Sequence, residues 1–77
     1  MLCDVEYHLT NKPEWVTSCV ITIFADGKIL LNWNGKINGL DIGEDGFFLS
    51  MRAAKMYVTQ RISKGKSKWK VATDNTP

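Results

Sequence analysis

The chain has 77 residues, 44% of them hydrophobic, with two cysteines and a formal net charge of +2. That length holds one domain, near the lower end of what a single core can stabilise, and that apolar fraction excludes a disordered chain. No apolar run reaches the roughly 20 residues that a membrane helix needs. The opening Met-Leu-Cys-Asp-Val-Glu lacks the basic and apolar regions of a secretory signal, so a cytoplasmic location is expected.

Residues 2–9 alternate, with Cys3, Val5, Tyr7 and Leu9 on one side and Asp4, Glu6 and His8 on the other, which predicts a half-buried strand. His8 falls on the polar side with no second ligand or nucleophile near it in sequence, so it reads as a surface residue. Residues 10–14, Thr-Asn-Lys-Pro-Glu, carry turn chemistry. A turn centred there puts Leu9 opposite Trp15 and Cys19 opposite Val5. Cys3 and Cys19 have no metal-ligand spacing. Reduced thiols are the simpler expectation, and no metal or cofactor is anticipated.

Residues 19–33, Cys-Val-Ile-Thr-Ile-Phe-Ala-Asp-Gly-Lys-Ile-Leu-Leu-Asn-Trp, read as two strands joined at Ala25-Asp26-Gly27. A two-residue turn pairs Ala25 with Lys28 and mixes Asn32 and Asn34 into the apolar face. A three-residue loop, with Gly27 left-handed in a G1 bulge, pairs Phe24 with Lys28. One face then holds Cys19, Ile21, Ile23, Ile29, Leu31 and Trp33. A one-residue slip would exchange the faces, so this cleaner segregation is the expected register. The other face still carries Val20, Phe24 and Leu30.

Residues 35–46 hold four glycines with Asp41, Glu44 and Asp45, and read as an acidic loop. Ile37, Leu40 and Ile42 offer at most a short fourth strand. A calcium loop starting at Asp41 fails: its third position is Gly43, and its twelfth, where a bidentate Glu is required, is Arg52. Next comes the strongest helix signal, over residues 51–63. Ser50 is placed to cap it, Leu49 to staple against Ala54, and Met51, Ala54, Tyr57, Val58 and Ile62 form the apolar stripe. Gly65 is positioned to end it. Residues 66–73 then alternate Lys66, Lys68 and Lys70 against Trp69 and Val71, an amphipathic strand with a lysine ladder. Residues 74–77 read as a frayed tail, leaving residues 1–73 as a single domain.

The whole is an α+β domain: an antiparallel sheet of about four strands with one amphipathic helix on one face, in the order β-β-β-loop-α-β. This layout, with Ala53-Ala54-Lys55 in the helix and Trp69-Lys70-Val71 in a short return strand, resembles small phage-encoded accessory proteins, among them anti-CRISPR inhibitors. The resemblance implies a viral protein that acts by occupying a surface on a larger machine. It carries over no site residue.

Charge is unevenly placed. Residues 1–50 set three lysines against seven carboxylates, a balance of −4, while residues 51–77 set seven cations against one carboxylate, +6. A basic half suggests an acidic or phosphate-bearing partner, a protein or a nucleoprotein complex. The expected contact residues are Arg61, Lys64, Lys66, Lys68 and Lys70, with Arg52 and Met56 on the polar side of the helix. One histidine, and no nucleophile–base pattern, argues against an enzyme. A non-enzymatic binding protein or inhibitor is the leading expectation. The alternative is a nucleic-acid-binding module that uses the basic helix and strand. The lysines are equally what guards an edge strand against aggregation.

Overall fold

A computed structural model of the chain describes residues 5–74, with the backbone alone for 72–74. Five strands, β1 (Val5–Leu9), β2 (Val16–Ile23), β3 (Ile29–Ile37), β4 (Leu40–Phe48) and β5 (Trp69–Asp74), form one antiparallel sheet in the order β4-β3-β2-β1-β5. Between β4 and β5 the chain forms α1 (Met51–Val58), which continues directly into a π-helical turn, Thr59–Ser63. The α+β layout with one helix is as expected. The sheet has five strands rather than about four.

The extra strand comes from residues 35–46, where a loop was expected. Asn38 and Gly39, at φ of 53° and 80°, form a two-residue turn with both positions left-handed. Asn-Gly is the sequence that favours such a turn, and its twist matches that of the flanking strands. It pairs Ile37 with Leu40 and carries the ladder on to Ile29 opposite Phe48.

The β2–β3 hairpin takes the bulged register. Gly27 has φ of +90°, the Phe24 N–H donates to the Lys28 carbonyl at 2.9 Å, and Cys19, Ile21 and Ile23 lie opposite Trp33, Leu31 and Ile29. The β1–β2 connection is wider than a turn at 11–14 would give. Val5 lies opposite Ile23 and Tyr7 opposite Ile21, four residues away from the expected pairing. Cys19 is therefore not opposite Val5; it is buried as a free thiol, and burial pushes its pKa up to about 11. Cys3 and the 75–77 part of the expected tail lie outside the described residues, while Asp74 pairs with Val5 in β5.

The helix lies on the face formed by Leu9, Cys19, Ile21, Ile29, Leu31 and Trp33, and closes the core with Ala54, Val58 and Ile62. Ile21 and Val58 are fully buried. Tyr7, Ile23 and Trp69, expected in the core, are only partly buried and pack against its margin, and Val5 is likewise half-buried. Ser50 caps α1 as expected, its hydroxyl accepting from the Ala53 N–H at 3.1 Å. Leu49 is fully exposed and staples nothing. Lys64, at φ of 47°, takes the left-handed capping position after the π-turn, one residue before Gly65.

Candidate functional site

The helix divides the surface into two flanks. On one, Lys55 sits over the Tyr7 ring at 5.6 Å, and the Thr59 hydroxyl bonds that of Ser67 at 3.0 Å; this is the β1–β5 side. On the other, the Tyr57 hydroxyl donates to the Glu44 carboxylate of β4 at 2.6 Å, and Arg61 lies over the Tyr57 ring at 5.3 Å. Residues 55 and 59, and residues 57 and 61, are one turn apart, so each pair shares a flank.

The expected basic contact residues are consequently not one strip. Arg61 belongs to the β4 flank. Arg52 and Met56 are exposed on the outer side of α1. Lys64 caps the π-turn. Lys66, Lys68 and Lys70 lie on the opposite side of the molecule, at the β5 edge. Only Lys70 is in the strand; Lys66 and Lys68 precede it, in a segment anchored by its own backbone. There the Asn11 side chain donates to the Lys66 carbonyl and accepts from the Lys68 N–H. Lys70 stands opposite His8 on the face away from the helix, and His8 Nε2 contacts Glu6 at 3.2 Å.

The β4 flank holds the site that the sequence reading missed. A cleft of about 140 Å³ opens there, lined by Leu31, Trp33, Glu44, Gly46, Phe48 and Tyr57 among others. Its walls are aromatic: Phe48 meets Tyr57 at 5.4 Å, and Trp15 buttresses Trp33 edge-on at 5.8 Å. Trp33 is 8% exposed, and its indole Nε1 is buried with no hydrogen-bond partner among the described residues. A buried donor without an acceptor costs about 1–3 kcal/mol. The Glu44 hydrogen bond holds the Tyr57 phenol above its usual pKa, with desolvation and the carboxylate's charge acting the same way.

The cleft exists because of Gly46. This residue lies opposite Leu31 on the helix-facing side of β4, and a Cβ placed there would meet nothing within 4 Å. Beside the cleft runs the free edge of β4. Ile37 and Leu40 close a two-residue turn and so form a hydrogen-bonded pair, and such pairs recur at every second residue. Residues 40, 42, 44, 46 and 48 therefore bond to β3, while Asp41, Gly43, Asp45 and Phe47 direct their N–H and C=O groups outward. On the other face, Asn32, Asn34, Asp41 and Asp45 border a shallow polar depression. Among the described residues no group of three or more His, Cys, Asp or Glu could hold a metal ion, and no helix is long and apolar enough to cross a membrane.

No family model matches the chain, and neither the curated proteins nor the solved structures include a significant match.

Proposed function

We propose that this protein is a non-enzymatic docking module that binds an extended segment of a larger protein or nucleoprotein complex along β4, and modulates that partner by occupying the segment. The resemblance to phage-encoded inhibitors implies only the coarser part of this, a protein that acts by occupying a surface on a larger machine. The observation that carries it is the open edge of β4. The strand is nine residues long, contains no proline or lysine, and borders an apolar cleft. Proteins normally blunt such an edge with short strands, prolines or charged side chains, lysine above all, because its unpaired backbone groups recruit other chains; the charges on β4 are all carboxylates, Asp41, Glu44 and Asp45, which repel an acidic strand and not a basic one. Recognition by strand addition uses those same groups for affinity and side-chain pockets for specificity.

The second reading is nucleic-acid binding by Lys64, Lys66, Lys68 and Lys70. It is favoured by the absence, among the described residues, of any carboxylate within ion-pair distance of these four. Against it, Trp69 packs towards the core and is not free to stack on bases. Site-specific photocrosslinking in bacterial cells separates the two. A crosslinker at Phe47 should give a protein adduct, and one at Lys68 should not. Adducts formed only from Lys68, and removed by nuclease, would favour the second reading and discard the first.

A further inference from the structure

We propose that the Gly46 cleft is a specificity pocket for one aromatic side chain, carried by a basic extended segment that adds to β4 as a sixth strand. This rests on the docking reading and names the chemistry of the docked segment.

Two observations converge on that occupant. The first is size. Apolar cavities of about 150 Å³ hold one benzene molecule, and the cleft measures about 140 Å³. The second is position. Gly46 bonds inward to β3, so a residue opposite it on an added strand forms a non-hydrogen-bonded pair, the closer of the two cross-strand spacings. The side chain of that residue, on the helix-facing side, stands directly over the gap that Gly46 leaves between Leu31 and Tyr57. Aromatic side chains are known to compensate for a glycine on a neighbouring strand in this way.

Charge selects a basic segment and disfavours a second β4. Asp41 and Asp45 project from the strand on the side away from the helix; Lys36 lies 3.8 Å from the Asp41 carboxylate, whereas among the described residues Asp45 has no cationic partner. Two β4 strands paired antiparallel about Gly43 would set Asp41 of each against Asp45 of the other. Like charges directly opposite are destabilising, whereas lysines at those positions are favoured.

The test uses the intact chain and two peptides, Lys-Thr-Lys-Tyr-Lys-Thr-Lys and the same peptide with Ala at its centre, followed by NMR. The tyrosine peptide should shift the amides of Gly43, Asp45 and Phe47 and the Trp33 indole N–H, and should bind at least tenfold more tightly than the alanine peptide. Gly46→Val puts its Cβ in open space and two further methyl groups into the gap. It should keep or raise the melting temperature, lower affinity for the tyrosine peptide at least tenfold, and leave affinity for the alanine peptide within twofold. Gly46→Ala, a smaller plug, should give an intermediate loss. Equal binding of the two peptides, or undiminished tyrosine-peptide binding by Gly46→Val, would overturn the pocket and leave strand docking standing. Shifts confined to residues around Lys66 and Lys70 would overturn both. Free p-cresol tests the cleft apart from the strand. It should move the Trp33 indole signal in the wild-type protein and not in Gly46→Val, and an unmoved wild-type signal would count against the pocket.

Discussion

Gly27 shows how one backbone conformation fixes the faces of a sheet. Its φ of +90° lets the three-residue loop close, and that closure puts Leu31 and Trp33, rather than Leu30 and Asn32, beside Ile21 under the helix. A Cβ at Gly27 would meet no neighbour, so the effect of Gly27→Ala is purely conformational. The variant should lose about 1 kcal/mol of stability, measured by urea denaturation, with its fold unchanged. Cys19 makes a second prediction at this scale. Its thiol is pushed up to about 11 by burial, from the value of 9.0 that it has when exposed, as in the unfolded chain. The folded state therefore holds the proton more tightly, and stability falls as pH rises. The contribution is intact below about pH 9 and lost progressively as pH passes through 11, by about 3 kcal/mol in all. Tyr57, also shifted upward, titrates in the same direction. The comparison that isolates the thiol is the slope of stability against pH in wild type and in Cys19→Ala, which should differ over that window.

Among the elements, the β2–β3 hairpin and the helix were legible because their apolar residues recur at the periods of 2 and 3.6 that a buried strand face and a buried helix stripe require. The β3–β4 hairpin was not, because its outer half is barely buried. Ile37 and Leu40 are 46% and 69% exposed, and glycine occupies two of the nine positions in β4. A strand that buries so little leaves almost no hydrophobic signature, and its acidic residues and glycines resemble a loop. Asn38-Gly39 was the local sign, a pair whose backbone preference does not depend on burial. The cleft escaped notice for a related reason: it is marked by a missing side chain, at Gly46, and composition does not register an absence. If the turn holds β4 in place, Asn38→Ala combined with Gly39→Ala should loosen that hairpin selectively. Both positions would then strain a left-handed backbone, at about 1–2 kcal/mol each. Hydrogen exchange should speed up at the inward-bonded amides of residues 40–46 well before it does in β2. Uniform loss of protection across the sheet would mean that β4 is not an independently loosened element.

Over the whole molecule, the sheet order is set by where the last strand goes. β2, β3 and β4 follow one another as a meander, but β5 returns past all of them to pair with β1, and the helix is the only connection. Sequence periodicity identified the last strand; it carried no information on which neighbour that strand joins, because both edges of the meander were open to it. The molecule is elongated, 42 × 21 × 19 Å, with its acidic edge at β4 and its lysines at β5. This return has a mechanical consequence. Val5 and Asp74 face each other across adjacent antiparallel strands, so a load applied to the two ends acts on a single cross-strand pair. It would part β1 from β5 rung by rung, as a zip opens, rather than shear the ladder all at once. Attachments at either end hang from this same side of the sheet, three strand spacings from β4 at the β1 end and four at the β5 end, roughly 14 and 19 Å. A tether, a fused cargo or a surface could hold the molecule there and leave that edge facing outward.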